Sequence, residues 1–109
     1  MVLDIKICGL KTPDAVAAAL DGGATHIGFI FFPKSPRHIT PQAAAGLRDA
    51  VKGRALVVAV TVDADDETLD DIVKTVKPDI LQLHGHETPE RVAFIKARYG
   101  LPAVSYTHL

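Results

Sequence analysis

Three short stretches of the sequence hold the side chains best suited to chemistry. The first, "KICG", ends an apolar run with Cys8, the only cysteine in the chain. Gly9 follows at once and leaves room for a ligand or backbone to approach. Lys6 lies two residues before Cys8, so in a strand it shares the same face, and a cation beside a thiol favours the thiolate. Free cysteine is most often core filler; a chemical role requires that this strand end open on a site. The second stretch, "FPKSPRHIT", gathers Lys34, Arg37 and His38 among turn-forming residues. A solvated basic loop reads the same way, but a guanidinium also offers a planar fork for a carboxylate or phosphate. In the third, "LQLHGHET", Gln82 and His84 share one strand face, Gly85 makes the turn, and His86 is expected in solvent. Asp63, closing "AVTVD", either lines the same mouth or caps the helix that follows. Capping is the favoured reading, because Asp65 and Asp66 share that local role.

Other chemistries lack their residues. No third ligand accompanies His84 and His86, so no metal is expected. Neither of the glycine-rich phosphate loops nor a G-x-S-x-G elbow occurs, so a nucleotide cofactor and a serine nucleophile are not supported.

The elements that must position these groups alternate along the chain. Apolar, β-branched runs at 5–8, 26–32, 55–62 and 79–83 have strand length and are bounded by Gly, Pro or Asp. Between them, apolar residues recur at helical spacing, as in Ala15, Val16, Ala19 and Leu20, or Leu69, Ile72, Val73 and Val76. Thr12-Pro13, Thr40-Pro41 and Thr88-Pro89 each pair a capping hydroxyl with a proline suited to the first helical position. Asp65, Asp66 and Glu67 serve the third helix through its dipole. Gly22-Gly23, Gly53 and Gly100 mark helix stops. Four βα units, with a fifth strand opening at 101–104, predict parallel strands.

Two closures compete: an open doubly wound sheet and part of a (β/α)8 barrel. Lys6 and Cys8, like Gln82 and His84, form polar strand faces opposite Ile5 and Ile7 or Leu81 and Leu83. An open sheet covered by helices on both sides has no good place for them, whereas a barrel turns such residues toward its mouth. The expected fold class is therefore α/β, a partial (β/α)8 barrel.

Bulk composition narrows the partners. The chain has 109 residues, 48% hydrophobic and 23% charged, with 12 Lys+Arg against 13 Asp+Glu and a formal net charge of −1. That balance gives no footprint for nucleic acid or an anionic membrane surface. The start carries Asp4 rather than a basic region, and no apolar run approaches the roughly 20 residues of a membrane span. With one cysteine there is no internal disulfide, and a cytoplasmic location is expected.

Together, "KICGL", "GATHIGFIFFPKSPRHIT" and "QLHG", in this order and at this spacing, resemble the phosphoribosylanthranilate isomerase family, (β/α)8 enzymes of tryptophan biosynthesis. The resemblance runs from residue 3 to about residue 104. It implies an Amadori rearrangement, in which the ring-opened aminoaldose N-(5-phosphoribosyl)anthranilate becomes an aminoketose without metal or organic cofactor. It places the general base on Cys8 and substrate contacts on Arg37 and His84, with Gly9 keeping the approach to the thiol open. Lys6, Gln82 and Asp63 complete the candidate substrate-binding set.

The resemblance also implies what lies elsewhere. The family's general acid is an aspartate on the sixth strand, and its phosphate is held by loops after the seventh and eighth. Residues 1–104 are thus expected to form the N-terminal half of a barrel, with 105–109, "SYTHL", a foreign or truncation tail. Such a half is expected to be inactive alone and to self-associate through the open edges of its first and fifth strands. Two rivals remain: another phosphosugar barrel, which would use Lys, Glu or metal ligands instead of a first-strand cysteine, and a non-catalytic half-barrel module.

Overall fold

The computed structural model describes residues 5–51 and 53–105. Its elements alternate as β1 (Lys6–Cys8), α1 (Pro13–Asp21), β2 (His26–Phe31), α2 (Pro41–Val51), β3 (Leu56–Thr61), α3 (Asp66–Val76), β4 (Ile80–Leu83), α4 (Pro89–Tyr99) and β5 (Ala103–Ser105). Residues 106–109 of the expected tail lie outside the described residues.

Local chemistry fixes the helix starts. The hydroxyls of Thr12, Thr40 and Thr88 accept from the amides of Ala15 at 3.1 Å, Ala43 at 3.2 Å and Arg91 at 3.1 Å. Pro13, Pro41 and Pro89 take first positions where an N–H would have no helical partner. Asp65 caps α3 by accepting from Thr68 N at 2.9 Å. At each marked stop a glycine turns left-handed, Gly53 at φ 76° among them. Gly100 ends α4 in the left-handed region at φ 64° and returns its N–H to Lys96 O. After α1 it is Gly23, at φ 91°, that turns left-handed, while Gly22 does not. α3 ends without glycine, on Lys77 at φ 53°, whose amide still bonds Val73 O.

The five strands pair in parallel in chain order. A doubly wound sheet reverses its strand order at a switch point, so that alternative is excluded. All four helices cover one face. Ile27, Phe29 and Phe31 of β2, Val57 and Ala59 of β3, and Leu81 and Leu83 of β4 pack there with Val16, Leu47, Ile72 and Ile95 from the helices. Burying a side chain the size of Ile72 stabilises the fold by about 1.5–3 kcal/mol, and these contacts form the core.

The other face is concave. Cys8 pairs with Gly28, Gly28 with Val58, and Val58 with Ile80, so the register sets Lys6 level with Pro78. Lys6 Nζ nevertheless donates to Gln82 Oε1, four residues further along β4. In a flat sheet strands three steps apart stand about 14 Å from each other, beyond a lysine's reach. Tilt and stagger of the kind that close a barrel supply both the curvature and the offset. The described chain thus forms an arc of a (β/α)8 barrel, with β1 and β5 at its edges. Among the described residues no helix is long and apolar enough to cross a membrane.

Candidate active site

The alternation that sends Ile27, Phe29 and Phe31 to the helices sends Gly28, Ile30 and Phe32 into the concavity. The same holds for Val60 on β3, for Val62 just beyond its end and for Gln82 on β4. Cys8, Gln82 and His84 line one cavity of about 460 Å³, walled by Ile30, Phe32, Val60 and Val62, with Ser35, Gly85 and His86 at its rim. Apolar walls around a few convergent polar groups are the usual build of a small-molecule site.

Cys8 is half-buried, and its sulfur lies over β2. A methyl group added at Gly28 would come within 2.5 Å of Cys8 Sγ. Gly28 therefore makes the space the thiol occupies. Its signal in the sequence is a glycine inside an apolar strand, a mark of close approach, which went unused in the sequence reading.

Arg37 reaches the same strand end from the β2–α2 loop, where Ser35 Oγ accepts its amide at 3.1 Å. Its aliphatic stem crosses Gly9: a methyl group there would sit 2.5 Å from Arg37 Cδ, and Gly9 itself adopts φ +82°. The space at Gly9 is thus taken by Arg37 rather than left open. That brings a guanidinium beside the residue that follows the thiol. Lys34 is exposed. His38 turns to the helix side instead, where it lines a separate cavity with Phe31, Glu67 and Asp71. The basic loop therefore delivers Arg37 to the end of β1 and His38 to the helix side.

Lys6 engages Gln82, which is buried at 8% exposure. His84 continues the ladder beyond β4, its amide donating to Thr61 O at 2.8 Å. The His86 ring is almost wholly exposed, yet it stands at the cavity rim. Alternation does not govern it, because β4 ends at Leu83.

Asp63 corrects the expectation of a helix cap, since Asp65 holds that role. Its backbone is left-handed at φ 48°, and its carboxylate turns to the β4–α4 loop, where Oδ1 accepts from His86 N at 2.6 Å. That hydrogen bond, joined by the His86 ring and opposed by partial desolvation, holds the Asp63 carboxyl below its ordinary range. Asp63 does not line the cavity.

A thiol and an imidazole thus line the concave cavity, with an arginine stem laid across Gly9 at the neighbouring strand end. The profile of the N-(5'phosphoribosyl)anthranilate (PRA) isomerase family matches residues 5–105. The chain belongs to that family. It is 81% identical over 104 residues to the N-(5'-phosphoribosyl)anthranilate isomerase of Brucella canis, covering 95% of this chain and 47% of the relative. The phosphoribosyl anthranilate isomerase of Thermotoga maritima superposes with a TM-score of 0.88 at 29% identity, over 94% of this chain and 49% of that one. An isomerase of the family crystallised with reduced 1-(o-carboxyphenylamino)-1-deoxyribulose 5-phosphate gives the same score and identity, over 94% and 52%. The chain thus spans about half the length of the isomerases it matches, and over that half its arc follows their barrels.

Proposed function

We propose that this chain carries the base-bearing half of a phosphoribosylanthranilate isomerase of tryptophan biosynthesis. The observation that carries the reading is the convergence of Cys8 and His84 on one cavity, with Arg37 laid across Gly9. In the ring-opened, iminium form of N-(5-phosphoribosyl)anthranilate, Cys8 as thiolate takes the proton from C2. The C–H electron pair forms the C1–C2 double bond, and the iminium pair returns to nitrogen. The enaminol then tautomerises to the aminoketose. Arg37 binds an anionic oxygen of the substrate, His84 and the Lys6–Gln82 pair contact its polar groups, and the apolar walls limit water near the reacting carbon. The lone thiol fits a reducing cytoplasm, and the reaction calls on no cofactor.

The test joins residues 1–104 to the remaining half of the Brucella canis isomerase. The hybrid is expected to convert N-(5-phosphoribosyl)anthranilate, and Cys8→Ser to lower kcat by about 10²–10⁴-fold. Turnover that survives Cys8→Ser would remove the thiol from the mechanism. The isolated chain is expected to be inactive.

A second reading, self-association, is favoured by the edge position of β1 and β5 and by exposed Ile5, Ile7, Leu56 and Val104. Unpaired strand edges template pairing with another chain, and sedimentation of the isolated chain at several concentrations tests it.

A further inference from the structure

The cavity wall made by His84, Gly85 and His86 is held from outside by two carboxylates, and we infer that Asp63 and Glu87 are positioning residues for it. Pairing along β4 ends at Leu83, beyond which His84 N still reaches Thr61 O. The next two amides need partners outside the sheet. Glu87 Oε1 accepts from Gly85 N at 2.8 Å, and Glu87 Oε2 accepts from Asp63 N at 3.0 Å. Asp63 answers in the opposite direction: Oδ1 accepts from His86 N at 2.6 Å, and Oδ2 faces His86 Nδ1 at 3.3 Å. Each carboxylate is rooted in one loop and grips an amide of the other.

Backbone shape agrees with this clamp. Asp63 sits at φ 48°, a region that Asp and Asn enter more readily than other side chains. A Cβ at Gly85 would collide with the Asp63 carboxylate. Arg91 Nη2, donating to Ala64 O at 3.2 Å, backs the junction from α4. Neither Asp63 nor Glu87 lines the cavity, so both act through the backbone of the wall.

The two carboxylates differ in what they require. Glu87 uses both oxygens to accept from backbone donors, so Glu87→Gln sets an amide NH₂ against an N–H and loses one bond. Asp63 needs one oxygen toward a backbone N–H, and Asp63→Asn keeps it, offers its NH₂ to the His86 ring, and tolerates the positive φ. Charge is thus dispensable at Asp63, whereas two acceptors are indispensable at Glu87.

That the wall faces a substrate rests on the proposed isomerase function, while the clamp itself does not. The test is residue-resolved amide exchange on the full chain, with binding of reduced 1-(o-carboxyphenylamino)-1-deoxyribulose 5-phosphate by the hybrid isomerase measured alongside. Glu87→Gln and Asp63→Ala are expected to speed exchange at Gly85 and His86 about tenfold while amides of β2 and β3 keep their protection. Asp63→Asn is expected to stay within about twofold of the parent chain, and Kd to rise about tenfold only in the first two variants. Parent-like exchange in Glu87→Gln, or loss of protection spread evenly through β2 and β3, overturns the clamp. Failure of the unsubstituted hybrid to bind the probe, with the exchange pattern intact, counts against the isomerase reading and leaves the clamp standing.

Discussion

Replacing Gly28 with alanine separates the stability of the fold from the placement of its thiol. The backbone of Gly28 is not in the left-handed region, so alanine is conformationally acceptable there and stabilises by about 0.4–1 kcal/mol through the unfolded chain. Against this stands a contact of 2.5 Å between the new methyl and Cys8 Sγ, with Cys8 Cα and Cβ at 3.3 and 3.4 Å. The backbone atoms need little adjustment. The sulfur must move by about 1 Å to regain van der Waals separation. Overpacking of this size costs about 1–3 kcal/mol, so the net loss of stability is about 0–2.5 kcal/mol once the backbone gain is set against it. A displacement of that size at a reacting atom costs about 10²-fold in rate. The assay is kcat of the Gly28→Ala hybrid, paired with the alkylation rate of the single thiol in the isolated chain. Displaced from β2, the thiol swings toward the open β1 edge, so alkylation is expected to quicken while kcat falls. Parent-like values of both would refute the claim that Gly28 sets the thiol's position.

Two further outcomes follow from the helix layer and the sheet. Asp70 joins α3 to α4 through Arg98, at 2.8 Å, and the Tyr99 hydroxyl, at 2.5 Å. These bonds, Arg98 first, draw its carboxyl down to about 2. A folded value below the unfolded value of about 3.9 means that the unfolded chain binds more protons on acidification. The contribution is therefore complete above about pH 4 and is lost as pH falls toward 2. Because Asp70 is half-exposed, the effect is modest and screened by salt, and thermal midpoints measured from pH 6 to 2 are expected to fall less steeply in Asp70→Asn. Thr61 is fully buried, and its hydroxyl has no hydrogen-bond partner among the described residues. Thr61→Val keeps the shape and removes the desolvated hydroxyl, so a rise of about 1 kcal/mol in unfolding free energy is expected from urea titration, and a fall would mean that the hydroxyl has a partner.

Much of the fold was legible because its signals are local. Period-two alternation sorted Leu81 and Leu83 from Gln82 and His84 without reference to any distant residue, and the structure sends the two sets to opposite faces. Capping is equally local: Thr12, Asp65 and Thr88 each accept an amide three residues on. Errors appear where a distant partner decides. Asp63 looked like a cap because two neighbours of the same type follow it, but its partners His86 and Glu87 lie more than 20 residues away. The stop of α3, for which the sequence offers no glycine, falls on Lys77, where Arg48 Nε donates to Lys77 O at 2.9 Å.

The site depends on a further kind of information, namely where side chains are missing. Cys8, Arg37 and His84 could be chosen by type, but type does not place a sulfur over β2 or carry a guanidinium to β1. Gly28 and Gly9 do so, the first by leaving room for Cys8 Sγ and the second for the stem of Arg37. Strand tilt then lifts the far wall into range, as the reach of Lys6 to Gln82 records. Neither glycine has a side chain to titrate, bind or attack, so a search for reactive groups passes over both. Cys8 and Arg37 are each seated where a neighbouring strand or turn has given up its Cβ, and for that reason Gly28→Ala should disturb the chemistry more than it disturbs the fold.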